Sequence, residues 1–97
     1  MNLEQLRQFK PQIQALARQY KIDPDSIRVF GSVARGDARK RSDIDLLIHP
    51  GRNCDIFDIS AFFEAMRFLI GRKVDVVSDR SLTPRFKKNI LDDIVYL

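Results

Sequence analysis

The chain has 97 residues, 44% hydrophobic and 31% charged, with a formal net charge of +4; that balance suits one soluble globular domain over residues 1–97 and argues against wholesale disorder. No apolar run approaches the roughly 18 residues of a membrane-spanning helix, and the polar stretch Met1 to Lys10 lacks an apolar signal core, so a cytoplasmic location is expected. One cysteine, Cys54, and one histidine, His49, exclude an internal disulfide framework and a zinc site built from Cys and His.

Leu3, Leu6, Phe9, Ile13, Leu16 and Tyr20 recur three or four apart and predict an amphipathic helix, with Asn2 and Gln5 as its cap pair. Pro11 predicts a kink or break near Lys10. Asp23-Pro24-Asp25 is a turn signal. Ile27 to Phe30 reads as a short strand, and residues 31–42 as a polar loop holding at most one helical turn. Asp43 to His49 begins with strict alternation and ends in an apolar run, a largely buried strand. Ile56, Ile59, Phe63, Met66 and Ile70, widened by Phe62 and Leu69, form the strongest helical stripe; Phe57, Phe62 and Phe63 are spaced for the core, and Gly71 stops the helix. Lys73 to Val77 is a third strand. Thr83-Pro84 caps a final helix carrying Phe86, Ile90, Leu91 and Ile94. The expected fold is α/β (α+β), a small mixed sheet flanked by helices.

The chemistry lies in Gly31 to Leu46, GSVARGDARKRSDIDL. In a strand, residues i and i+2 share a face about 6.6–7 Å apart, so Asp43 and Asp45 converge on one side while Ile44 and Leu46 point to the other. Carboxylates on an otherwise apolar strand must be paired, hydrogen-bonded or bound to metal, and paired carboxylates suit Mg²⁺ or Mn²⁺. Asp75, between Val74 and Val76, repeats the pattern. If its strand lies beside the second, three acids share one surface and can hold two cations. The alternative is that all three are solvated acids on an open sheet face. Gly31-Ser32, at a strand end, offers backbone N–H groups and a hydroxyl to an anion; taken alone such a pair is an ordinary turn. Arg35 can pair with an acid or with phosphate. Ser42 can cap, orient Asp43, or touch phosphate.

The basic residues cluster at Arg35, Arg39, Lys40 and Arg41, at Arg72 and Lys73, and at Arg85, Lys87 and Lys88. They read as solvated surface or as attraction to phosphates. No basic helix with interleaved aromatics appears, which argues against nucleic acid as a partner.

The string Gly31-Ser32, a ten-residue spacer, then Asp43-Ile44-Asp45 resembles the nucleotidyltransferase superfamily of DNA polymerase β, and more closely its minimal nucleotidyltransferases, the MntA-like antitoxins paired with HEPN toxins. Leu69 to Val77, Phe57 to Ile59 and the tail Leu82 to Tyr96 extend the similarity over essentially the whole chain. The resemblance implies that Gly31 and Ser32 bind the triphosphate of ATP, with Arg35 and Ser42 nearby. It implies that Asp43, Asp45 and Asp75 hold two Mg²⁺ ions and that Asp75 helps deprotonate the acceptor. It further implies transfer of AMP to a hydroxyl, a tyrosine of the cognate HEPN toxin. His49 departs from the family pattern, as a solvent-facing strand end or a nucleobase contact. A non-catalytic antitoxin that covers its partner's active site is the competing expectation, and a homodimer is a further one, from seven Phe in so small a domain.

Overall fold

A computed structural model describes residues 1–39 and 42–97; Lys40 and Arg41, members of the first basic cluster, lie outside the described residues. The elements run α1 (Leu3–Arg7), α2 (Lys10–Gln19), β1 (Arg28–Phe30), α3 (Gly31–Arg35), β2 (Ile44–Ile48), α4 (Ile56–Ile70), β3 (Val74–Ser78), a 3₁₀ turn (Asp79–Ser81), α5 (Pro84–Ile90) and β4 (Val95–Tyr96).

Local signals set most boundaries. Asn2 and Gln5 form a reciprocal capping box that opens α1. Pro11 sits in the first turn of α2, where its missing N–H costs nothing, so the expected break falls between Arg7 and Lys10. Asp55 and Asp58 form a second capping box at the start of α4, and Gly71 closes it in the left-handed conformation at φ 71°. Thr83 accepts from the Phe86 N–H and Pro84 opens α5.

The strands form one sheet in the order β3-β2-β1-β4. β1 is antiparallel to both β2 and β4, and β2 is parallel to β3. A parallel neighbour requires a crossover, which α4 supplies. One sheet face, with Val29, Ile44, Leu46, Ile48 and Val74, packs with Ile13 and Ala17 of α2 and Phe62, Met66 and Ile70 of α4 in the main core. Each fully buried large apolar side chain there contributes about 1.5–3 kcal/mol over leaving it exposed. On the opposite face Ile90 packs with Phe30 and Leu47, and Val77, Leu82 and Ile94 lie against them.

The structure corrects three expectations. The final helix ends at Ile90; Ile94 lies beyond it, and Val95–Tyr96 returns as β4 to pair with Val29 and Arg28. Hydrogen bonds along the free edge of β1, continued by Leu97 N to Ile27 O at 3.0 Å, outweigh the helical spacing of the tail. Phe57 is 80% exposed rather than in the core: nine residues at 100° per residue place it opposite Met66, which is fully buried. Ile56, in the first turn, is exposed as well, so the buried stripe of α4 is narrower than its apolar composition.

Candidate functional site

The site is built where β1 ends and β2 begins. Antiparallel register pairs Phe30 with Asp45, and parallel register pairs Asp45 with Asp75. Directly paired residues share a face, and neighbouring strands are about 4.7–4.9 Å apart. Phe30, Asp45 and Asp75 therefore form a row across the sheet, on the face opposite Ile44 and Leu46, which are fully buried. Asp43 precedes β2 by one residue and is half-buried; Lys73 Nζ lies 3.5 Å from its Oδ2.

The chain turns out of β1 through Gly31 at φ 74°. A Cβ there would collide with Asp45 Oδ2, so the turn needs glycine for its backbone angle and for the close approach of the carboxylate. Ser32 follows in the first turn of α3, half-buried, and its hydroxyl has no hydrogen-bond partner among the described residues. Gly36, at φ 81°, closes α3. The turn thus sets Gly31 directly against Asp45, with Ser32 the next residue.

The electrostatics are those of crowded like charges. Partial burial, then the neighbouring charges of Asp75 and Asp43, push the Asp45 carboxyl above its ordinary value, while Arg35 pulls it down. Neither Asp45 nor Asp75 has a hydrogen bond or ion pair among the described residues. Like charges paired across strands are destabilising, and acceptor-only oxygens in that position suit a hard divalent cation. By donor chemistry the three carboxylates fit Mg²⁺ or Mn²⁺. As the side chains stand, Asp43 faces Lys73, and no three His, Cys, Asp or Glu among the described residues are arranged to hold a metal ion. The sheet register sets the backbone positions of Asp45 and Asp75, which leaves the side-chain torsions as the freedom to close a site.

Arg35 and Ser42 are both engaged by the protein. Arg35 Nη1 donates to Asp93 Oδ2 at 2.9 Å and its Nε to Asp37 Oδ2 at 3.2 Å; the bonds to Asp93 and then Asp37 raise the guanidinium pKa. Ser42 Oγ accepts from the Arg39 N–H at 2.8 Å, one residue before Asp43. His49 lies just past β2, with its Nδ1 3.0 Å from both carboxylate oxygens of Asp79. Asp79 also accepts from Arg28 Nη2 at 2.9 Å. An acid was one of the two partners the sequence offers Arg35, though it does not single out Asp93; the pairings of Asp43 with Lys73 and of Asp79 with His49 and Arg28 have no signal along the chain. Only the parity of His49, even with Asp45 and Leu47 along one strand, pointed to its face.

The polymerase beta nucleotidyltransferase family model matches residues 11–97. MJ1379 of Methanocaldococcus jannaschii, described as a protein adenylyltransferase, is 35% identical over 86 residues, spanning 84% of this chain and 83% of its own length. The protein adenylyltransferase MntA of Thermococcus cleftensis is 34% identical over 71 residues, 73% of this chain and 72% of its own. A solved structure described as a minimal nucleotidyltransferase superimposes with a TM-score of 0.84 at 37% identity, covering 100% of this chain and 97% of the other. A toxin–antitoxin complex with AMP-PNP shares the fold, with a TM-score of 0.73 at 21% identity over 90% of this chain and 70% of the other.

Proposed function

The chain belongs to the polymerase beta nucleotidyltransferase family, and on that footing we propose that it transfers the AMP of ATP to a tyrosine hydroxyl of a HEPN-type toxin and thereby acts as the antitoxin. The observation that carries this reading is the pairing of Asp45 with Asp75 beneath the Gly31 turn. A surface built only to cover a partner has no need of two unpaired carboxylates in register beside a glycine-serine turn. The names of the relatives support protein as acceptor. A fold neighbour at 18% identity, a tri-AMPylated Shewanella oneidensis HEPN toxin in complex with an MNT antitoxin, supports the partner class.

In this reading the Gly31 turn and the Ser32 hydroxyl bind the triphosphate, and Gly31 admits it because no side chain stands in the way. Asp43, Asp45 and Asp75 would hold two Mg²⁺ ions, which would supply charge neutralisation for the triphosphate and the leaving pyrophosphate. The carboxylate of Asp75 takes the proton of the acceptor hydroxyl. That oxygen bonds to the α-phosphorus as the bond to the bridging oxygen breaks and pyrophosphate departs. Arg35 exchanges Asp93 and Asp37 for phosphate, and Ser42 holds the Arg39 N–H beside Asp43.

The test is incubation with ATP, Mg²⁺ and a HEPN-type toxin protein, followed by intact-mass measurement. The expected result is an increment of one or more adenylyl groups on the HEPN protein, absent with Asp45→Asn. An unmodified HEPN protein that is nonetheless inhibited would overturn the catalytic reading in favour of steric blocking.

A further inference from the structure

α4 buries Phe62, Met66 and Ile70 against the sheet and carries an aromatic line on its outer side. Phe57 and Phe68 on that line are 80% and 92% exposed. At 100° per residue the two lie within about 20° of one another and roughly 16 Å apart along the helix axis. Ala61 and Glu64 fall between them; Ala61 is small, and Glu64 is met by Arg67 at 3.8 Å.

The two ends of the line differ in shape. Phe57 stands out of the first turn, with Ile56 exposed beside it. At Phe68 an apolar groove of about 480 Å³ runs between α2 and α4. Ala15, Leu16, Ala65, Phe68 and Leu69 line it with two glutamines, and no charged residue is among them. One end of the helix is a knob and the other a hole. Their charges are opposite as well. Asp55 and Asp58 flank Phe57; Asp58 is met by Lys21 at 3.9 Å, and Asp55 has no ion pair among the described residues. Arg67, Arg72 and Lys73 gather around Phe68, where Glu64 is the one acid lining the same surface.

A second copy of this chain meets all of these features at once. Laid antiparallel on the first, it brings its own Phe57 to the groove beside Phe68, and its groove receives the Phe57 of the first copy. The acidic end of each helix then faces the basic end of the other, and the helix dipoles oppose favourably. A knob and a hole on one helix, complementary in shape and in charge, form the self-complementary patch that a two-fold interface requires.

We propose that this chain pairs with a second copy of itself through the outer face of α4, with the two helices antiparallel and each Phe57 seated in the other copy's groove between α2 and α4. α4 covers the sheet face that carries Ile44 and Leu46. The acids are on the opposite face, so the pairing stands apart from the adenylyl-transfer reading and leaves that face open.

Sedimentation equilibrium of the whole chain over a concentration series tests it, and a dimer is expected. Phe57→Ala removes two knobs per dimer and should weaken association about a hundredfold. Phe68→Glu places a charge at both grooves and should weaken it comparably. Both side chains are exposed, so both variants should melt like the parent by circular dichroism. Leu91→Ser, exposed on the other side of the sheet, should leave the dimer intact. The decisive measurement mixes Phe57→Ala with Phe68→Glu. The first keeps its groove and the second its knob, so a mixed pair regains one of the two seatings and should associate about tenfold tighter than either variant alone. A monomer at every concentration, a dimer indifferent to Phe57→Ala, or a mixture no tighter than its components overturns the pairing. So does a monomeric chain whose Phe57→Ala variant loses binding to a HEPN-type toxin, which would give this face to the toxin.

Discussion

Asp45 and Asp75 are register partners across the parallel β2–β3 pair, and no hydrogen bond or ion pair offsets their mutual repulsion among the described residues. The fold retains an arrangement that costs stability, as a site built for a cationic ligand does.

The first prediction follows from that cost. Asp45→Asn should abolish adenylyl transfer while raising the melting temperature at pH 7. Burial and the Asp75 and Asp43 charges raise the folded Asp45 carboxyl above its ordinary 3.8. The native state therefore binds more protons than the unfolded chain just above pH 3.8, and stability falls as pH rises through that window. The advantage of Asp45→Asn should shrink as pH falls toward 3.8. Thermal melts of both proteins across pH decide it; a variant less stable at pH 7 would contradict the like-charge account.

Gly31→Ala should destabilise the fold by about 1–2 kcal/mol from the left-handed backbone angle alone, and further because its Cβ meets Asp45 Oδ2. Gly36→Ala shares the positive φ but has open space around it, so the difference between the two in urea unfolding isolates the clash. Equal losses would mean that the carboxylate gives way freely.

ATP binding should require Mg²⁺ and should weaken in Ser32→Ala by about 1.5–3 kcal/mol, the range of one hydrogen bond to a charged group. Titration calorimetry with a non-hydrolysable analogue, with and without Mg²⁺, measures both. Equal affinity in the two conditions would count against the acids as a metal site.

Asp79 gives the opposite pH signature to Asp45. Burial alone would raise its carboxyl, but the bonds from Arg28 and His49 prevail and hold it below 3.8. Its contribution is present above pH 3.8 and is lost as pH falls through the depressed folded value. Asp79→Asn should cost about 1–3 kcal/mol at pH 7, because Arg28 loses its carboxylate, and the variant should lack that part of the acid-induced loss. An unchanged acid limb would show that the Arg28–Asp79–His49 cluster contributes little.

The period-two alternation of Asp43-Ile44-Asp45-Leu46 made the parity of β2 legible, since one face had to take the apolar side chains. Asn2, Asp55, Gly71 and Thr83-Pro84 marked helix ends for equally local reasons, as orphan backbone groups are satisfied within a few residues. Other features depended on partners distant in the chain. Nothing local told that β3 would lie beside β2 in the register that pairs Asp75 with Asp45. The free edge of β1 drew Val95–Tyr96 out of a helix-spaced tail, and two residues are too few to show alternation. Phe57 carries the composition of a core residue and lies opposite the core because the helix turned Met66 inward. Arg35 found Asp93, 58 residues away. Periodicity, caps and glycine angles are properties of a few neighbouring residues and can be read along the chain; strand adjacency, exposed aromatic faces and ion pairs belong to segments that meet only once the sheet has closed.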